Sequence, residues 1–104
     1  MSGYIFHSEA YEDLDNILEF IANDSSDAAD RLLDQFLEAM SNLARFPYQG
    51  HERADLTSRP LRFWPVREYL IAYLPESNPL QVVAIVHGRR SPRTIAATLR
   101  AREQ

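Results

Sequence analysis

The stretch Val82–Arg90 reads V-V-A-I-V-H-G-R-R and decides the fold of this chain. Its first five residues are apolar and mostly β-branched, which predicts a β-strand buried on both faces. The strand leads directly into a glycine and two arginines, so an interior strand would carry two fixed cations to a surface turn. Guanidinium groups held in this way are suited to bind a phosphate or the anionic groups of a partner.

The length and composition of the chain predict one globular domain over residues 1–104. A chain of 104 residues, 45% hydrophobic and 25% charged, can form one layer of helices on one sheet. No apolar run reaches the ~18 residues of a membrane helix and no leader pattern is present, so we expect neither a membrane span nor a signal peptide. The absence of cysteine excludes disulfides and thiolate metal sites and fits a cytoplasmic protein.

Charge is divided unequally between the two halves of the chain. Residues 1–52 contain eleven acidic residues and two arginines, whereas residues 53–104 contain four acidic residues and nine arginines. A basic half of this kind predicts a surface for an anion or an acidic partner. Every basic residue other than histidine is arginine, which suits bidentate recognition of carboxylate or phosphate, although a GC-rich coding bias also explains it.

The acidic half predicts a short strand at Tyr4–Phe6 and then two amphipathic helices. Apolar residues recur at helical spacing from Ala10 to Ile21, and again from Ala29 to Ala44. Ser25 is placed to cap the second helix, and Pro47 ends it. The short link between them predicts an antiparallel helical hairpin. We interpret its many carboxylates as a solvated face rather than as catalytic groups.

The basic half predicts three strands in an antiparallel meander, at Leu61–Val66, Tyr69–Leu74 and Gln81–His87. Pro65 makes the first of them an edge or bulged strand. Thr94–Arg102 has helical periodicity and predicts an optional last helix. The predicted fold is therefore α+β, in the order β-α-α-β-β-β(-α), with the helical hairpin on one face of a small antiparallel sheet. We expect the other face, with the arginines, to be the working surface.

Short motifs along nearly the whole chain carry a resemblance to a known family. They are Ala10, Asp13-Leu14, Ile17, Ile21-Ala22, Ala28-Ala29, Leu43-Ala44, Phe46-Pro47, Gly50, Arg53, Asp55-Leu56, Arg62, Pro65-Val66, Tyr69-Leu70-Ile71, Tyr73 and Val86-His87-Gly88-Arg89-Arg90. In this order and spacing they resemble the RelE/ParE family of bacterial type II toxins. The resemblance implies a growth-inhibiting toxin that a cognate antitoxin neutralises by wrapping it with a flexible C-terminal segment. It also implies that operator DNA is bound only through the antitoxin.

The family has two branches with different chemistry. ParE-type members bind and poison DNA gyrase, whereas RelE-type members cut mRNA on the ribosome, which requires a general base, a general acid and cations. RelE-type members typically supply an arginine inside the second strand of the meander and a C-terminal tyrosine or histidine. Here Leu70 stands at the strand position, and no tyrosine or histidine follows Arg90. The ParE branch is therefore favoured, with no enzymatic activity, cofactor or metal. An mRNA endonuclease, or a remnant that binds only its antitoxin, stays as an alternative.

Recognition is predicted to rest on six residues of the basic half, with an acidic antitoxin segment as the most immediate counterpart. They are Arg62, Trp64, Arg67, Arg89, Arg90 and Arg93. The alternative is that some of these arginines only balance local acids such as Glu68, and that Trp64 belongs to the core. His87 is the one catalytic candidate, should the chain be a nuclease, and the favoured alternative is a histidine satisfied at a strand end. His7 and His51 show no metal-ligand spacing with it.

Overall fold

The computed structural model describes residues 3–102 and confirms the predicted α+β fold. The elements are β1 (Tyr4–Phe6), α1 (Ser8–Ala22), α2 (Ser26–Arg45), β2 (Arg62–Val66), β3 (Tyr69–Leu74), β4 (Leu80–His87) and α3 (Pro92–Ala101). A short 3-10 turn, Pro47–Gln49, follows α2. Within the described residues, no helix combines the length and the apolar character needed to cross a membrane.

The two long helices form the predicted hairpin and are joined by residues 23–25. The Ser25 hydroxyl accepts a hydrogen bond from the Ala28 N–H at 3.1 Å and so caps α2 as predicted. Arg45 lies in the last turn of α2, where the helix dipole favours a cation. The apolar stripe of α2 is almost completely buried, with Phe36 and Met40 at 0% exposure. The hairpin therefore packs its apolar faces onto the sheet.

The sheet has four strands in the order β1-β4-β3-β2. Strands β2, β3 and β4 form the predicted antiparallel meander, and Pro65 lies on the edge strand β2. Strand β1 pairs in parallel with β4, so the sheet is mixed rather than purely antiparallel. This pairing reaches only from Leu80 to Val82, because β1 is three residues long. Among the described residues, no strand pairs with the remainder of β4 on that side.

Strand β4 is buried on both faces, as its sequence predicts. A β-bulge in β4 changes which sides of the sheet its side chains face. Ala72 pairs with Ala84 while Tyr73 pairs with Val82, so Val83 is the extra residue. Val82 and Ile85 consequently pack in the core beneath the hairpin. Val83 and Ala84 pack in a second core on the other side of the sheet.

The second core corrects one expectation from the sequence, namely that the sheet face opposite the hairpin is the working surface. That face is covered by α3 and by the connector between α2 and β2. Ile95 and Leu99 of α3 are 2% and 1% exposed, and Leu56 and Leu61 of the connector are each 2% exposed. The prediction was wrong because the optional last helix carries an apolar stripe that needs a surface to bury it. The arginines are displaced to the ends of the strands.

The connector after α2 is fastened to the sheet by the buried hydroxyl of Tyr73. This hydroxyl donates to the Pro47 carbonyl oxygen at 2.7 Å and accepts from the Gly50 N–H at 2.9 Å. A Cβ on Gly50 would collide with the same hydroxyl, so a glycine is required there. Burial raises the pKa of the Tyr73 phenol, which therefore keeps the proton that it donates.

We expect Tyr73→Phe to destabilise the protein by about 1–3 kcal/mol, because it leaves the buried Gly50 N–H and the Pro47 carbonyl without their partner. Tyr11→Phe is the matched control, since Tyr11 is 61% exposed. Urea unfolding followed by circular dichroism measures both variants. Equal stability of the two variants would contradict the fastening role.

Candidate functional site

Two turns meet at one end of the sheet and bring Arg67 and Arg89 to one hollow, with Arg90 and Arg93 next along the chain. The Gly88 N–H donates to the Glu68 carbonyl oxygen at 2.7 Å, which joins the turn after β4 to the turn between β2 and β3. Gly88 fits this approach because a Cβ there would lie 3.2 Å from the same oxygen. We call the exposed cationic surface of these turns and of the start of α3 the arginine tip; it consists of Arg67, Arg89, Arg90 and Arg93.

The guanidinium groups of the arginine tip are free to bind an anion. Among the residues that the structure describes, no carboxylate lies within 4.0 Å of any of them. The acid of the neighbouring turn, Glu68, is directed to His87 instead, with Oε2 3.3 Å from His87 Nε2. The interpretation that these arginines balance local acids therefore does not hold for the four residues of the tip.

His87 lies beside the arginine tip, with one ring nitrogen hydrogen-bonded and the other near a carboxylate. Nδ1 accepts the Arg89 N–H at 3.1 Å, and Nε2 faces Glu68. The ring also stands edge-on to Tyr69, with centroids 5.2 Å apart. Because Nδ1 accepts the Arg89 N–H, its lone pair is not offered to a ligand in this arrangement.

Arg62 and Trp64 lie apart from the arginine tip. The Arg62 guanidinium donates to the Gly50 carbonyl oxygen at 2.8 Å and stands over the Tyr48 ring, 5.2 Å from its centroid. Arg62 therefore helps to hold the connector, together with Tyr73. Trp64 is half-buried and packs against the core beneath the hairpin. The six predicted recognition residues thus divide into four at the tip and two with contacts inside the fold.

One ion pair that sequence reasoning missed joins α1, β4 and the residue that follows α3. Asp13 and Arg102 form a bidentate pair with N–O distances of 2.6 and 2.9 Å. Asp13 also accepts the Ile85 N–H at 3.0 Å, and Arg102 donates to the Val83 carbonyl oxygen at 3.3 Å. The hydrogen bonds to Asp13 raise the pKa of the Arg102 guanidinium above its ordinary value.

Strand β1 is too short to pair with the whole of β4. The ion pair supplies the hydrogen-bond partners that a longer strand would have supplied. Val83 and Ile85 lie just past the last residue of β4 that pairs with β1, and their polar backbone groups bond to the two side chains. The sequence gives a weak indication that Asp13 has a partner inside the fold, because this acid stands beside Leu14 on the apolar side of α1. It gives no such indication for Arg102.

A cleft of about 390 Å³ opens between α1 and α3 next to the arginine tip. Asp13 and Arg102 line its inner part, and Phe20, His87 and Arg90 also contribute to its wall. The Phe20 side chain is 76% exposed. Within residues 3–102, no group of three His, Cys, Asp or Glu side chains is arranged to hold a metal ion. The arrangement at this end of the molecule is thus suited to binding through fixed cations.

Comparison with known proteins gives one match. Residues 4–92 match the family model described as the ParE toxin of the type II toxin–antitoxin system parDE. The match spans β1 to the start of α3 and includes Arg67, Arg89 and Arg90 of the tip. No curated protein sequence matches the chain.

We expect Asp13→Ala to lower the free energy of unfolding by about 2–4 kcal/mol, because it leaves Arg102 and the Ile85 N–H without a partner in a largely buried place. The matched control is Asp55→Ala, which breaks a bidentate pair with Arg53 whose side chains are 50% and 40% exposed. An exposed pair of this kind contributes little to stability. Chemical unfolding should therefore separate the two variants, and similar losses would contradict the special role of Asp13.

Proposed function

Because the chain belongs to the ParE family of type II toxin–antitoxin toxins, we propose that it arrests growth by binding and poisoning DNA gyrase. Family membership makes it a toxin component with a cognate antitoxin as partner. The proposal adds the molecular target and a mode of action without bond cleavage by the toxin itself. Its place of action is then the cytoplasm, where gyrase works on the chromosome.

The observation that carries this proposal is that Nδ1 of His87 already accepts the Arg89 N–H. Metal-independent RNA cleavage needs a base for the 2′-hydroxyl and an acid for the leaving oxygen. In this arrangement Nδ1 of His87 is not available as the base, because it accepts the Arg89 N–H, and one imidazole cannot supply both groups. Leu70, half-buried beside Gly88, brings no polar group where a nuclease of this fold carries an arginine. The arginine tip therefore has the cations for recognition but lacks the pair of groups that would move protons.

Neutralisation by the antitoxin fits the same surface. An acidic antitoxin segment that contacts the arginine tip would form charge-assisted hydrogen bonds and cover the groups that face the target. Arg62 and Trp64 take part less directly in this scheme, since their contacts lie inside the fold. Operator DNA is then bound through the antitoxin, as expected from the resemblance.

A second candidate function, ribosome-dependent mRNA cleavage, has one specific observation in its favour. The His87 side chain is 32% exposed and stands beside Arg89, so a change of rotamer would present an imidazole next to a guanidinium. A third candidate is a protein that binds its antitoxin without being toxic. Growth that does not slow when the chain is expressed without the antitoxin would favour this third candidate.

We expect purified toxin to inhibit supercoiling by gyrase and to trap a cleavage complex with linear DNA, and we expect His87→Ala to retain both effects. The variant keeps the arginine tip and removes only the imidazole, so it separates binding from acid–base chemistry. Supercoiling that is unaffected by a large excess of toxin would contradict the proposal. Codon-linked cuts in mRNA from induced cells, lost in His87→Ala, would establish the ribosomal alternative.

A further inference from the structure

The arginine tip contains two residues whose side chains do not suit their backbone positions. Arg67 has a φ of 56°, in the left-handed region that a bulky side chain rarely occupies. Arg93 lies in the first turn of α3, a turn without an acidic residue, where the positive end of the helix dipole disfavours a cation. Unfavourable residues at a shared surface commonly serve binding. Both guanidinium groups are exposed and have no carboxylate within 4.0 Å among the described residues.

We propose that the arginine tip binds the phosphate backbone of duplex DNA, so that the toxin contacts the DNA segment held by gyrase as well as the enzyme. The proposal rests on gyrase as the target, since duplex DNA is the substrate of that enzyme. Guanidinium groups bind phosphate oxygens through two parallel N–H donors, and a duplex presents phosphates in closely spaced rows. Four arginines on two adjoining turns and one helix start can contact several of them together.

The surroundings of the tip suit phosphates as an occupant. A protein interface usually depends on a buried aromatic or aliphatic anchor. The tip itself supplies none, because Arg67, Glu68 and residues 89–94 are all exposed and largely polar, and the exposed Phe20 belongs to the adjoining cleft. The shallow hollow beside them is bordered by Leu70 and Gly88 and opens towards Arg89. Contacts to phosphate need only cations and N–H donors, and the tip supplies these.

The acidic helices and the basic end of the sheet lie apart, which explains why the contact with DNA is confined to the arginine tip. Acidic residues of α1 and α2 are mostly exposed and repel a nucleic acid that lies along the helices. A long DNA interface needs a continuous basic face, which this chain lacks. The arginine tip is the end of the sheet, so a duplex can reach it without running along the hairpin. Operator recognition still belongs to the antitoxin.

The test measures fluorescence anisotropy of a labelled 20-base-pair duplex of arbitrary sequence with the full chain, from 50 to 200 mM salt. Four phosphate contacts predict a slope of about −3.6 for log affinity against log salt, and a loss of affinity on the order of 100-fold over this range. In the double variant Arg89→Gln/Arg90→Gln the slope should fall to about −1.8. The control Arg31→Gln/Arg45→Gln removes the same charge from exposed positions of α2 and should leave the slope unchanged.

The variant Arg67→Gly distinguishes a loss of DNA binding from a loss of folding stability. Glycine accepts the positive φ, so the Tm should stay the same or rise while the affinity for the duplex falls. A lower Tm with unchanged affinity would overturn the role of Arg67 in binding.

Three further results would overturn the proposal. They are the absence of binding at 50 mM salt, an equal loss in the Arg31→Gln/Arg45→Gln control, and equal or tighter binding of a competitor. The competitor is a single-stranded RNA of 20 nucleotides, whose success would assign the tip to RNA.

Gyrase assays with the same variants separate this proposal from the proposed function. Poisoning that persists in Arg89→Gln/Arg90→Gln, with duplex binding lost, would reject the DNA contact and leave gyrase as the target. Duplex binding without any effect on gyrase would reject the target and leave the DNA contact.

Discussion

The bidentate pair between Asp13 and Arg102 closes the one edge of the central strand that the sheet leaves open. Strand β1 covers β4 only as far as Val82, and the polar backbone groups beyond that point need partners in a largely buried place. A carboxylate from α1 and a guanidinium from the end of α3 supply them. The same pair therefore holds the end of α3 against α1. It also covers a strand edge that could otherwise pair with a strand of another chain.

The position of α3 in turn determines what the end of β4 can do. The apolar stripe of α3 covers the second core, and residues 88–91 must turn sharply between the strand and the helix. The contact of Gly88 with the Glu68 carbonyl then brings the turn between β2 and β3 alongside. Two loops distant in sequence thus present their arginines together, on a support of packed strands that restricts their movement.

A surface of this kind is better suited to recognition than to catalysis. Charge alone can stabilise a bound phosphate, but cleavage requires groups that accept and deliver protons at the right place. Beside the arginine tip, Nδ1 of His87 accepts a backbone N–H, and Nε2 lies 3.3 Å from Glu68 Oε2. The left-handed backbone of Arg67 and the position of Arg93 at the start of α3 are both unfavourable for the stability of this end.

The sequence by itself determined the elements and the inner position of β4, because periodicity and β-branched runs act over neighbouring residues. It also determined that arginines follow the buried strand and that the residues after them contain no tyrosine or histidine. Only the tertiary structure decided which arginines share a surface, since Arg62 is drawn to Gly50 while Arg67 and Arg89 meet across two turns. It alone placed α3 over the second core and paired Asp13 with Arg102, residues far apart in the chain. Such long-range contacts depend on how complete elements pack, and no local pattern carries that information.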